Sequence, residues 1–259
     1  MDGLTGHEPI AHGLTGAQIL ALWDTYGAAA PAVRALGILA SCTDQGRDEL
    51  PALTVGRRNQ LLYACRRRTL GASMAAFAHC PHCGEAVEFV LDLDNLHAAD
   101  RPAPPEPDFV WRHADGCYRL EVRPPTVGDL LALAGSASAD AETLRRQLLA
   151  RCVTAAACDD VAVDVTSLPV PVSRALAAHL AAVDPWAETL LELACPACAT
   201  RWHAAVDIGE FFWRELTVQA KRLLREVHLL ARGYGWREAD VLALHPRRRQ
   251  AYLDLLLES

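Results

Sequence analysis

One short pattern is written twice in this chain, as Cys80-Pro81-His82-Cys83-Gly84 and again as Cys195-Pro196-Ala197-Cys198-Ala199. Each copy ends an apolar run and opens into a segment that alternates like a strand. After the first, Val87, Phe89, Leu91 and Leu93 share a face, with Glu88, Asp92 and Asp94 opposite. After the second, Trp202, Ala204, Val206 and Ile208 share a face, with Arg201, His203 and Asp207 opposite. Counted from the last cysteine of each pair, the apolar positions coincide, and Asp92 coincides with Asp207. The sequence therefore predicts an internal repeat of a knuckle followed by a strand.

A closed zinc site is the chemistry this pattern serves. A Cys-x-x-Cys turn aims two thiolates at one ion, and the backbone N–H groups of the turn stabilise the sulfur charge. Two such turns complete a tetrahedral four-thiolate shell with no position open to substrate. Cys80, Cys83, Cys195 and Cys198 are thus the candidate ligands of a structural Zn2+. Zinc ribbons place their pairs about 15–20 residues apart, whereas residues 84 to 194, 111 in all, lie between these two. A ribbon with a large insertion between its halves meets that spacing. The alternatives are two independent half-sites, a redox pair, or a pair that has lost its metal.

The remaining cysteines, Cys42, Cys65, Cys117, Cys152 and Cys158, are scattered, and the total of nine is odd. Such usage fits a reducing cytoplasm better than a secreted disulfide framework. Residues 1–16 lack the basic start and apolar stretch of a secretory signal, and no apolar run reaches the ~20 residues of a membrane span. With 51% hydrophobic residues in 259 the chain can build a sizeable core, and its net charge of −7 weighs against general nucleic-acid binding. Of the 25 basic residues only Lys221 is a lysine.

Taken in order, residues 1–14 read as a loose tail. Helices are expected over Ala17–Tyr26 with Thr15 as cap, over Ala32–Ala40, and from about Thr54, with Leu61, Leu62 and Cys65 inward. Arg66, Arg67 and Arg68 close that third helix and read as a solvated end matched to the helix dipole, or as a dock for an acidic partner. The four prolines in residues 98–107 mark the clearest linker. Phe109–His113 and Tyr118–Val122 read as a hairpin turning at Asp115-Gly116. Helices follow over Val127–Ala134, Ala141–Cys152 (Leu144, Leu148 and Leu149 inward) and Val172–Ala182. Residues 153–164 are poorly periodic, with Asp159, Asp160 and Asp164 read as solvated loop. Thr189–Leu193 reads as a strand entering the second knuckle. From Gly209 a long amphipathic helix runs to Gly233 as its left-handed cap. A short helix over Glu238–Leu244 and a last one from Pro246 complete the chain. Arg247, Arg248 and Arg249 stand in that last helix's first turn, where the dipole disfavours cations; they read as a partner dock or an exposed face.

No catalytic constellation assembles. There is no Gly-rich phosphate loop, no Gly-x-Ser-x-Gly and no His-Glu-x-x-His in the sequence. A thioredoxin-type dithiol wants its pair at a helix N-terminus, and both pairs here run into strands. His79, His82 and His203 lie near the cysteines in sequence but read as bystanders, since four thiolates already fill four positions. Trp202 and Trp213 read as core and interface anchors.

Several segments, in order, resemble the baseplate hub assembly chaperone family of T4-type contractile tails and related phage-like particles. They are Val55-Gly56-Arg57-Arg58-Asn59-Gln60-Leu61-Leu62, the two knuckles, the Arg225-Glu226-Val227-His228 helix, Tyr234-Gly235-Trp236, and Pro246-Arg247-Arg248-Arg249-Gln250-Ala251-Tyr252-Leu253. The resemblance covers about residues 50–258, and its closing segment is the most specific part. Ala199 departs from it where a glycine is usual, and Arg237 where a small capping residue is. It implies a non-enzymatic protein that helps build the baseplate hub, and it supplies no catalytic residues.

The expectation is an α+β protein, mainly helical. Residues 15–78 form a helical N-terminal region, 79–97 and 187–208 the halves of a zinc-ribbon-like module, 98–186 an inserted α/β segment, and 209–259 a helical C-terminal arm. The two repeated strands are expected to pair or pack side by side, burying Phe89, Leu91, Trp202 and Val206. The expected function is a cytoplasmic assembly chaperone that binds baseplate hub or other tail-assembly proteins, without membrane or nucleic acid. Its rivals are a structural component retained in the baseplate, a zinc-ribbon nucleic-acid binder, and a dithiol oxidoreductase. Glu88, Asp92 and Asp94 beside the first knuckle repel phosphate and weigh against the nucleic-acid reading.

Overall fold

A computed structural model describes residues 11–98, 108–114, 116–134 and 140–258. The tail expected over 1–14 and the linker expected over 98–107 fall largely outside these residues.

Four helices build the main core. They are α1 (Gly16–Tyr26), α2 (Pro31–Cys42), α3 (Val55–Leu70) and α8 (Ile208–Tyr234). Thr15 caps α1 with a reciprocal capping box to Gln18, and Thr54 caps α3 by accepting from the Arg57 N–H. Ile19, Leu20, Ile38, Leu39, Leu61, Leu62, Phe212 and Leu216 meet in one buried cluster with Tyr63, Met74 and Leu93. Cys42 and Cys65, expected to be unpaired, are joined there as a disulfide across 23 residues. Their helices are packed side by side, a proximity that two cysteines with no spacing motif cannot announce.

Each knuckle is the turn of an antiparallel hairpin. The first joins β1 (Ser73–His79) to β2 (Ala86–Asp92), and the second joins β7 (Leu190–Ala194) to β8 (Arg201–Ala205). The repeat is thus strand, knuckle, strand. β1 escaped the sequence reading because its alanines carry no strand propensity of their own; cross-strand pairing with β2 settles it. The expected pairing of the two repeated strands does not occur: β2 and β8 belong to separate two-stranded sheets. Phe89, Leu91, Trp202 and Val206 are accordingly half-buried rather than buried. Leu93 leaves the strand face to open α4 (Leu93–Ala98), where it is fully buried.

Between the hairpins lies a second layer. β3 (Phe109–His113), β4 (Gly116–Val122), β5 (Val153–Cys158) and β6 (Val161–Ala162) form one antiparallel sheet in that order. His113 pairs with Gly116 as the expected turn requires, while Asp115 lies outside the described residues. β5 and β6 occupy the stretch read as poorly periodic; they are short and half exposed, so neither face repeats long enough to show. Helices α5 (Val127–Ala134), α6 (Ala141–Cys152) and α7 (Val170–Val183) complete this layer. Val172, Leu176 and Leu180 of α7 bury Phe109, Tyr118 and Leu120 of the sheet. On α6 only Leu149 and Cys152 are fully buried, with Leu144 and Leu148 at the margin.

α8 ends at Gly235 in the left-handed conformation (φ 69°), not at Gly233. Gly233 serves another purpose: a Cβ there would collide with Leu256 of α10 (Pro246–Leu257). α10 and α9 (Glu238–Ala243) fold back on the end of α8 around Val227, Leu230, Val241 and Leu253. Both arginine triplets send one member inward. Arg66 is 3% exposed and grips Glu215 through two nitrogens, at 2.9 and 2.6 Å. Arg249 donates to Glu226 at 2.7 Å. These two are neither solvated nor docking residues; they hold helices to α8. No helix among the described residues is long and apolar enough to cross a membrane.

Candidate metal centre

The two knuckles share one local geometry. In the first, the Cys80 N–H donates to the Glu85 carbonyl at 2.8 Å and the Gly84 N–H to the Cys80 carbonyl at 2.9 Å. In the second, the Cys195 N–H donates to Thr200 at 2.9 Å and the Ala199 N–H to Cys195 at 2.9 Å. The tight turn needs a left-handed residue just after its second cysteine. Gly84 fills it at φ 77°, and Ala199 at φ 58°. A glycine carries no Cβ and adopts this region freely, whereas alanine does so at a cost of about 1 kcal/mol.

All four cysteines expected as ligands come together. Cys80 and Cys198 sulfurs lie 3.6 Å apart, as do those of Cys83 and Cys195. The four Sγ atoms lie within 4.8 Å of one another. Four thiolates around a zinc-sized ion, with metal–sulfur bonds near 2.3 Å, stand about 3.8 Å apart along the edges of their tetrahedron. The donor set and its spacing therefore fit a tetrahedral ion. Cys80 and Cys195 are buried, Cys198 is half-buried and Cys83 exposed, so the cluster sits at the surface end of both hairpins. Among the described residues no histidine joins it: His82 and His203 are exposed, and His79 turns its Nδ1 to the Gly84 carbonyl at 3.2 Å.

The electrostatics point the same way. Cys198 is lowered to about 6, first by the Thr200 hydroxyl 3.3 Å from its sulfur and then by the Thr200 backbone N–H. Cys83 is pushed up to about 12; the Glu85 backbone N–H on its sulfur works to lower it, and is outweighed by the Cys198 thiol first, then by partial desolvation and the Cys195 and Cys80 thiols. The Cys198 thiolate forms readily while the Cys83 thiol resists, because like charges so close do not both ionise unaided. A bound cation removes that conflict. Thr200 and Glu85 were not singled out in the sequence. Their positions two residues past each knuckle's second cysteine were the available signal.

The hairpins reach this meeting point because their roots are fixed on the helical core. In the first turn of α3, the Gly56 N–H donates to Asp184 Oδ2 at 2.8 Å, and Asn59 Nδ2 donates to the carbonyls of Trp186 and Ala187 at 2.9 and 3.1 Å. These contacts hold the turn from which β7 departs, while the other end of α3 leads into β1 through Gly71. The second hairpin in turn delivers Asp207, which caps α8 by accepting from the Glu210 N–H.

A protein-family model described as T4 bacteriophage base plate protein matches residues 35–213. The chain belongs to this family. The match runs from within α2 to Trp213 in α8, so it contains both knuckles, the α3 anchor and the layer between the hairpins. The C-terminal arm, including the segment from Pro246 that carried much of the resemblance, lies beyond it. No curated protein and no solved structure matches the chain.

Proposed function

We propose that this base plate family protein is a non-enzymatic assembly chaperone for the baseplate hub of a contractile tail or phage-like injection particle, built around a structural four-cysteine zinc site. The observation that carries the reading is family membership across a span containing both knuckles. Zinc is the ion that a closed set of four thiolates at tetrahedral spacing favours. Such a shell has no open coordination position, which supports a clasp rather than a catalyst. Cys80, Cys83, Cys195 and Cys198 would hold the ion, and its chemistry would be to fasten two hairpins that share no backbone ladder.

The surface supports binding to protein. A groove of ≈760 Å³ lies between the edges of β1 and β8, with Phe211 and Val218 of α8 along it and Phe77 65% exposed at its side. Asp207, Glu210 and Glu215 line it beside Arg66 and Arg214, a mixed charge that favours a protein partner over phosphate there.

Co-expression with each hub and wedge protein, followed by co-purification, tests the assembly role. Binding to at least one hub protein is expected, and failure to bind any would sink it. The second reading, a component that remains in the baseplate, is separated by mass spectrometry of purified particles. A chaperone is absent from them, whereas a retained component appears in fixed stoichiometry. Both activities belong to the cytoplasm of the producing cell.

A further inference from the structure

Every acid of helix α8 is paired, and a row of its cations is not. Its three carboxylates, Glu210, Glu215 and Glu226, each face a cation: Arg34, Arg66, and the pair Arg222 and Arg249. Opposite its buried face, at steps of seven, four and seven residues, stand Arg214, Lys221, Arg225 and Arg232, all exposed. None of these four forms an ion pair among the described residues. At 100° per residue they lie within about 40° of one line, along about 27 Å of helix. Val218 (65% exposed) and Leu229 (37%) flank the row on one side, about 40° and 60° round the helix from it. The chain as a whole carries a net charge of −7, so this stripe runs against its background.

We propose that this face of α8 docks an acidic amphipathic helix of a partner protein. A solvated helix face in an acidic protein is ordinarily laced with charges of both signs. Here every acid of the helix is occupied elsewhere, so a row of cations with two aliphatic side chains is left uncompensated. The complement of that row is a helix presenting Glu or Asp on either side of an apolar seam. Charges so placed set orientation and association rate, and the aliphatic contacts supply burial. The inference deepens the assembly reading, on which it rests, by naming the partner's chemistry.

The probe is a labelled peptide of about 21 residues with Leu at heptad a and d positions and Glu at e and g, beside a counterpart with Lys for Glu. Titration of the full chain by fluorescence anisotropy is expected to show binding of the acidic peptide only. The variant R214E/K221E/R225E/R232E is expected to weaken it at least tenfold and to accept the lysine peptide instead. A second variant with Gln at the same four positions, folded by circular dichroism, is expected to fall between. Carbodiimide coupling is expected to join Lys221, the only lysine, to a glutamate of the peptide. Absence of binding, affinity unchanged by charge reversal, or tighter binding of a DNA duplex at 0.15 M salt would overturn the proposal. Hub binding that persists in the reversed variant defeats the stripe alone. Peptide binding as expected by a chain that takes no baseplate protein defeats the assembly reading alone.

Discussion

The backbone N–H of Gly56 and the carboxylate of Asp184 meet at 2.8 Å across 128 residues of chain. The contact is tight enough that a Cβ on Gly56 would collide with all three carboxyl atoms of Asp184. Gly56 thus fills a place where the first turn of α3 and the turn before β7 touch without an intervening side chain, and the position of the second knuckle depends on it.

Gly56→Ala is accordingly expected to cost at least ~2 kcal/mol by overpacking. Asp184→Ala is expected to cost about 1–3 kcal/mol by leaving a buried N–H unmatched. The two should be strongly non-additive, because removing the carboxylate clears the space the new methyl needs. A urea-denaturation double-mutant cycle measures this, and additive losses would contradict the contact.

The Arg66–Glu215 pair gives a second outcome. Arg66 is 3% exposed and its partner 25%. Arg66→Ala leaves a carboxylate half-stranded against α3 and should destabilise by about 3 kcal/mol or more, with Arg66→Met milder because it fills the volume. Arg67→Ala removes a pair in which both partners are over half exposed, and should change stability by less than ~0.5 kcal/mol. Equal effects at the two positions would show that Arg66 is not buried in solution.

Asp129 supplies a pH dependence. Its carboxylate is held down to about 2, first by the Arg123 guanidinium at 2.7 and 3.0 Å, against the cost of burial, and by the Thr126 N–H and hydroxyl. A folded-state pKa below the unfolded value of about 3.9 contributes stability that is complete above pH 4 and lost as pH falls toward 2. Asp129→Asn should therefore cost about 2 kcal/mol at pH 7 and flatten the stability profile between pH 4 and 2. Unfolding midpoints measured across that window check both.

Ala199 occupies the left-handed position that Gly84 fills in the other knuckle. Ala199→Gly should stabilise the chain by up to about 1 kcal/mol, since relief of the Cβ outweighs the added freedom of the unfolded chain. Gly84→Ala should lose a similar amount. Opposite signs at the two equivalent positions, read from thermal midpoints, are the expected result.

Much of this was legible from local chemistry. The cysteine pairs, the Thr15 and Thr54 caps and the long apolar period of α8 each declare themselves within a few residues. The strand after each knuckle was visible because its alternation lasts long enough to count. What stayed hidden depends on distant partners. β1 is a strand only because β2 lies beside it. Cys42 and Cys65 pair because α2 packs on α3. Arg66 and Arg249 looked like members of surface triplets, and only the placement of Glu215 and Glu226 on α8 turns them inward. Gly233 offered a cap within two residues of the true one, Gly235, and nothing local distinguishes a glycine that ends a helix from one that admits Leu256. The matched faces of β2 and β8 showed that the hairpins are equivalent, but the four-cysteine cluster, not a shared ladder, is where they meet.

The most direct test of the four-thiolate clasp is elemental analysis of the purified chain beside Cys195→Ser. One zinc per chain, lost in the variant together with a marked fall in thermal stability, is the predicted result. Metal-free protein with all four thiols titratable and unchanged stability in the variant would contradict it.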